Sequence, residues 1–164
     1  MCYSKNMERI QRKNLKTDED FMRFAIELSR IAAKKDEVPI GAVIVCDGKI
    51  VSFAYNMKER KLDSTAHAEI LAIRKASRKF KDFRLENATI YVSLEPCVMC
   101  MGAILSARIG RIVFGAFQDK ENILSSSEIN NRAGVNHKCE IVGGILAKEA
   151  GEIISNYFKD KRKK

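Results

Sequence analysis

Residues 88–116 read ATIYVSLEPCVMCMGAILSARIGRIVFGA. The first seven, ATIYVSL (88–94), are rich in β-branched and aromatic residues, as a buried strand is. Glu95-Pro96 then introduces a helix, because a proline in a first helical turn gives up no hydrogen bond. That helix is expected to run to about Arg108, and RIVFGA (111–116) is again strand-like. The fold is read outward from this strand–helix–strand run.

Towards the N-terminus, Thr17 and Asp20 have the spacing of a helix cap, and Phe21, Phe24, Leu28 and Ile31 recur at helical intervals. This helix should end near Lys35, before Pro39. IGAVIVC (40–46) and KIVSFAY (49–55) flank Asp47-Gly48, a hairpin-turn signal. Residues 66–80 return to helical period. Towards the C-terminus, 117–138 is polar and Asn/Ser-rich, a long loop with some helix, of a length that is often functional. A short strand, CEIVG (139–143), and a helix, ILAKEAGEIISNYF (145–158), close the chain. The order α-β-β-α-β-α-β-β-α implies an α/β fold: a three-layer α/β/α sandwich around a central five-stranded mixed sheet.

The chain has 164 residues, the size of one domain. The expected organisation is a basic arm over 1–16, a single domain over 17–158 and a basic tail over 159–164. The formal charge is +9, of which residues 1–16 and 157–164 each carry +4, leaving the body near +1. Basic arms on a neutral body suit a polyanion such as nucleic acid; solvated tails that only keep the protein soluble are the competing reading. The longest apolar runs, 38–46 and 97–105, are nine residues each. A membrane-spanning helix needs about 20. The N-terminus lacks the apolar segment of a secretory signal, so a soluble cytoplasmic chain is expected. An odd count of five cysteines with one CxxC pair points to metal or redox chemistry rather than to a disulfide framework.

His67 lies in TAHAEI (65–70) at the start of one helix, and Cys97 and Cys100 open another. Thiolates at a helix N-terminus are favoured by its unpaired N–H groups and positive dipole end. Two thiolates and an imidazole suit Zn²⁺ and leave a fourth position for water. Glu69, two residues after His67, would lie about 200° away on an ideal helix. The pair therefore reads as a ligand and an acid/base flanking one site. A zinc ion carrying two thiolates is formally neutral and acidifies water less than a tris-imidazole site, so a nearby base would help generate hydroxide. A redox dithiol, or a structural zinc site completed by His137 or Cys139, would also use the CxxC pair.

HAE followed at a distance by PCxxC resembles the signature of the zinc-dependent cytidine deaminase superfamily, whose signature and chemistry are general knowledge. Within it the chain is most similar to the tRNA adenosine deaminases, through EVPIGAVIV (37–45), TAHAEI (65–70), IYVSLEPCVMCMGAI (90–104), SARIGRIVFGA (106–116) and NHKCEIVGGIL (136–146). The resemblance implies a cytidine deaminase-like fold and a homodimer. It implies one Zn²⁺ per subunit on His67, Cys97 and Cys100, and conversion of the wobble adenosine of an arginine tRNA to inosine with loss of ammonia. Glu69 would move the proton. Asn56, Val38, Pro39 and the backbone of Ala66 and Glu95 would meet the base. Phe158 would stack near the anticodon loop, and Lys159, Lys161 and Arg162 would meet phosphates. A deaminase of free guanine, cytosine or cytidine shares the core signature and stands as the alternative. A zinc-stabilised RNA-binding module without catalysis is the reading from another class.

One stretch departs from the resemblance. After FGA the family has an Asp, a Lys and a glycine-rich run, whereas residues 117–127 read FQDKENILSSS. Gln118 holds the Asp position and Asp119 follows one place late. His137 is read as ordering the nearby loop.

Overall fold

The computed structural model describes residues 15–118, 125–132 and 136–163. Most of the N-terminal arm, residues 119–124 of the atypical loop, and Lys164 lie outside them. Of the arm, Leu15 packs against the core and the Lys16 N–H donates to Asp20.

Helix α1 (Asp18–Lys34) begins on a reciprocal cap. The Asp20 N–H donates to Thr17 Oγ1 at 3.2 Å, and the Thr17 N–H donates back to the Asp20 carboxylate at 3.1 Å. Both bonds satisfy donors that a helix start leaves unpaired. Phe21, Phe24, Leu28 and Ile31 form its buried stripe, as their spacing predicts. Strands β1 (Gly41–Cys46) and β2 (Lys49–Tyr55) then form an antiparallel hairpin. Asp47 and Gly48 both have positive φ, 50° and 69°, the geometry that matches the twist of paired strands.

A one-turn helix, α2 (Lys58–Lys61), follows; its four polar residues carry no periodic apolar signal. Helix α3 (Ala68–Phe80) leads to β3 (Ala88–Leu94), α4 (Val98–Ser106) and β4 (Arg111–Ala116). Pro96 stands one place before the α4 cap residue, Cys97, rather than inside the first turn. The polar segment contains α5 (Ser126–Asn130), started by a Ser125–Glu128 capping box. Strand β5 (Glu140–Val142) and helix α6 (Ala147–Lys161) complete the chain. Helix α6 continues three residues past the expected end at Phe158. Lys161 binds Asp36 at 2.7 Å, and lysines in a last turn favour the helix dipole.

The sheet order is β2-β1-β3-β4-β5. β1 is antiparallel to β2 and β3, while β3, β4 and β5 run parallel, so the sheet is mixed. Alternate residues face opposite layers. Ala42, Ile44, Ile90, Val92, Ile112 and Phe114 join Leu71, Ala72, Met101 and Ile104 of α3 and α4 in one core. Val43, Val45, Tyr91 and Val113 join Phe24, Leu28 and Ala150 of α1 and α6 in the other. This is the expected three-layer sandwich. One edge of the sheet gathers the start of β1, the ends of β2, β3 and β4, the N-termini of α3 and α4, and the C-termini of α1 and α6.

Candidate active site

His67 and Cys97 each occupy the cap position of a helix, with extended backbone (φ −69°, ψ 155° and φ −70°, ψ 170°). That position prefers Ser, Thr, Asp or Asn, whose side chains satisfy the first N–H groups. Neither His67 nor Cys97 makes such a bond. Their side chains turn towards each other instead. His67 Nδ1 lies 3.8 Å from Cys97 Sγ and 3.5 Å from Cys100 Sγ. The three donor atoms all fall within 4.8 Å of one another, a spacing that a single metal ion can bridge. Among the described residues no other group of three or more His, Cys, Asp or Glu has this geometry. His137, the other histidine, bonds the Ile109 carbonyl at 2.9 Å through Nε2 and is not part of this group.

Because His67 precedes the first helical residue, the 200° helical-wheel separation expected between it and Glu69 does not apply. Glu69 is buried, 2% exposed, in the first turn of α3. Its Oε2 has no hydrogen-bond partner among the described residues. Burial pushes its carboxyl above the usual carboxylate range. The two sulfurs are driven in opposite directions over the Cys100 thiol proton. The bond from the Cys100 thiol, with help from His67, draws Cys97 down to about 4. The same bond and burial push Cys100 up, and the bond to Cys97 raises His67. A dication would displace that proton, since metal ligands must be deprotonated.

These donors belong to one recognised pattern. Residues 15–116 match the family described as cytidine and deoxycytidylate deaminase zinc-binding region. Along 148 residues the chain is 43% identical to a tRNA-specific adenosine deaminase of Bacillus subtilis, covering 90% of this chain and 92% of that one. The chain belongs to the tRNA-specific adenosine deaminases of this zinc-binding deaminase family. A tRNA-specific adenosine deaminase of Haemophilus influenzae is 42% identical over 147 residues, covering 88% and 85%. A solved structure from work on A-to-I editing by tRNA:A34 deaminases superposes with a TM-score of 0.77 at 39% identity, covering 81% of this chain and 97% of that one. A guanine deaminase of Nitrosomonas europaea shares the fold, with a TM-score of 0.76 at 22% identity over 92% and 91% of the two chains.

In this deaminase backbone bonds tie Asn56 to the segments on either side of it. The Asn56 N–H donates to the Ile40 carbonyl and the Met57 N–H to the Ala66 carbonyl, both at 3.0 Å. These two bonds draw Asn56 between the Val38-Pro39 segment and Ala66, next to His67. Pro39 is buried and Val38 half-buried. The C-terminal helix reaches the same edge: the Tyr157 hydroxyl donates to the Asp36 carbonyl at 3.1 Å. Phe158 is 44% exposed with its ring edge-on to Tyr157. Lys161 is engaged with Asp36, and Arg162 Nε donates to the Phe158 carbonyl; Lys159 is exposed.

Two supporting groups are not evident from the sequence. Glu37 is fully buried and accepts three N–H donors: Asn56 Nδ2 at 3.2 Å, and the backbones of Glu59 at 3.1 Å and Arg60 at 2.8 Å. It therefore caps α2 and fixes the Asn56 amide, because a carboxylate can only accept. An acid in the otherwise apolar EVPIGAVIV run was the available signal. Glu95 is the second. Its carboxylate accepts the N–H groups of Gln118 at 3.3 Å and Ser126 at 2.9 Å, and its carbonyl accepts Gln118 Nε2 at 2.8 Å. Gln118, which departs from the family pattern, thus braces the turn that carries Cys97.

Proposed function

We propose that this chain is a hydrolase that converts the wobble adenosine of an arginine tRNA to inosine with release of ammonia. The observation that carries the deaminase chemistry is the buried Glu69, whose Oε2 has no partner among the described residues, beside three converging metal-type donors. An imidazole and two sulfurs form a donor set that fits zinc. His67, Cys97 and Cys100 would hold one ion per subunit. A bound zinc would supply a Lewis acid that acidifies water, less strongly than a tris-imidazole zinc, so that a base is needed beside it.

The chain's own residues do the rest. Glu69 takes the proton from water at Oε2. Its pocket stabilises the neutral acid, so the proton is kept rather than lost to solvent. Glu69 then delivers it to adenine N1 as the water oxygen bonds C6, and the proton left on that oxygen passes through Glu69 to the amine as the C6–N6 bond breaks and ammonia departs. Asn56, oriented by Glu37, presents its amide to the nucleotide. Val38 and Pro39 line the base pocket, and the backbones of Ala66 and Glu95 meet the base or leaving group. Phe158 stacks beside the anticodon loop, while Lys159, Lys161 and Arg162 lie near phosphates; Lys161 would exchange Asp36 for RNA.

We assign the enzyme to the cytoplasm; among the described residues no helix is long and apolar enough to cross a membrane. A homodimer would cover the apolar outer face of α4, where Val98 is 52% and Met99 37% exposed.

The test is to incubate the purified protein with arginine tRNA, sequence the wobble position and assay ammonia. Inosine at that position alone supports the reading. Ammonia from free guanine or cytidine with unmodified tRNA would move the chain to the free-base alternative.

A further inference from the structure

Helix α3 buries Ile70, Leu71, Ala72 and Ala76 and exposes Arg74, Lys75, Arg78 and Lys79. Every charged group on its solvent side is a cation, since its only acid, Glu69, is buried. Among the described residues none of the four joins a salt bridge. At the site end the stripe continues into the exposed Lys58, Arg60 and Lys61 of α2. Lys61 lies within electrostatic reach of Lys75, and Arg74 and Lys61 both lie within reach of Asp63, so the charges of the two helices are close in space. At the far end it runs into Lys81 and Arg84. Residues 58–84 carry a net +5, so outside them and the two basic ends the body is −4. The near-neutral body is strongly polarised.

Folding accounts for only part of this arrangement. Arg74 and Arg78, like Lys75 and Lys79, are like-charge pairs four apart, each costing a helix about 0.2–0.5 kcal/mol. The helix dipole favours cations only in the last turn, so it accounts for Arg78 and Lys79 but not for Arg74. The lysines have a structural use: Lys75 Nζ donates to the Phe53 carbonyl at 2.8 Å and Lys79 Nζ to that of Val51 at 3.3 Å, covering the free edge of β2. No comparable bond accounts for Arg74 and Arg78.

Resting on the RNA reading above, we propose that the α2–α3 face is a phosphate track for the duplex stem that adjoins the reacting loop. From His67 to Lys81 the helix rise covers about 20 Å, enough to follow a backbone away from the site. No exposed aromatic lies between the cations of α2 and those of α3; Phe80 and Phe83 come only at the far end. Single-strand binders interleave stacking aromatics with their charges, whereas duplex RNA is held through phosphates and shape.

The test compares wild type with Arg74→Glu/Arg78→Glu, using an anticodon stem-loop and a loop-only oligonucleotide without the stem. Metal content and thermal midpoint are checked first; if the charge reversal unfolds the chain, Arg74→Gln/Arg78→Gln is read the same way. For the stem-loop the expected result is a KM raised at least tenfold with kcat within twofold. The salt slope of log Kd should become shallower by about 0.9, the value for duplex DNA, for each phosphate that the variant no longer neutralises. The loop-only oligonucleotide should be unaffected. Unchanged stem-loop affinity and slope overturn the track, and so does an equal loss on both RNAs. If the wild type made no inosine, the proposed function would fall, while the salt slope of stem binding would still judge the stripe.

Discussion

His67 Nδ1 lies 3.5 Å from Cys100 Sγ although 33 residues separate them in the chain. Each donor sits in the opening of a different helix, and the two helices start at the same sheet edge because β3 leads into one and the β1–β2 hairpin into the other. Losing one donor should therefore remove the ion. For Cys97→Ser the expected outcome is a drop from about one zinc per chain to near none by elemental analysis, because ligand-bound metal is coupled to folding. The thermal midpoint should fall by at least about 5 °C, since 1 kcal/mol is worth about 2–4 °C in a chain of this size. Full zinc occupancy in the variant would rule out this ligand set.

Glu69→Gln keeps the shape of the buried side chain and removes its proton chemistry. Turnover should drop about 10²–10⁴-fold, the range for a general acid/base. Zinc content and RNA affinity should stay at wild-type values. Retained turnover would remove Glu69 from the mechanism, and unchanged behaviour in every assay would favour a binding module.

Glu37 predicts a coupled loss of stability and substrate binding. Glu37→Ala strands the Asn56 amide and two backbone N–H groups at the start of α2. A stranded donor costs about 1–3 kcal/mol where it is buried; the two in α2 can reach water, so about 2 kcal/mol in all is expected by urea unfolding. KM should rise more than kcat falls, because Asn56 loses its orientation. A variant with wild-type stability and KM would show that Glu37 holds nothing the reaction uses.

Gly41 marks a close approach between layers. A Cβ there would overlap the Ala25 carbonyl oxygen and lie 2.5 Å from the Leu28 Cβ, so α1 would have to move off β1. Gly41→Ala should destabilise by about 3 kcal/mol or more, as overpacking against backbone does. Soluble protein with an unshifted unfolding curve would contradict the packing described.

The opposite sheet edge predicts the acid response. Arg111 donates two bonds to the Asp18 carboxylate, at 2.9 and 2.8 Å, and the Tyr91 hydroxyl adds a third at 2.8 Å. The Arg111 bonds lead in holding the Asp18 carboxyl below the usual carboxylate range, with Tyr91 assisting. A depressed folded-state value means that this stabilisation is present above the unfolded value, about pH 4, and is lost as pH falls below it. Asp18→Asn should lower the midpoint at pH 7 and bring the two proteins together as pH drops below about 4. A constant gap across that range would show that Asp18 ionisation is not what Arg111 stabilises.

Much of the fold can be read locally. The Thr17–Asp20 cap, the Asp47-Gly48 turn and the residues of β1 to β4 have short-range causes, and strands and helices announce themselves by period. Helix α2 is not legible in this way, because four consecutive polar residues have no periodicity; it exists because Glu37, distant in sequence, caps it. The end of α6 lies three residues beyond its apolar pattern because its last turn is held by Asp36 rather than by an apolar stripe.

The sequence by itself determined the order of the five strands and the four long helices, the metal-type donors and the acid beside them, because helix and strand periods and the HAE and PCxxC spacings are properties of neighbouring residues. Only the tertiary structure decided that Glu37 grips Asn56, that Gln118 and Ser126 brace Glu95, and that a near-neutral body carries one strongly basic face. Those outcomes depend on which groups the packed layers bring within hydrogen-bond reach, and on which charges they leave facing water. A linear count of charges or a local spacing contains neither.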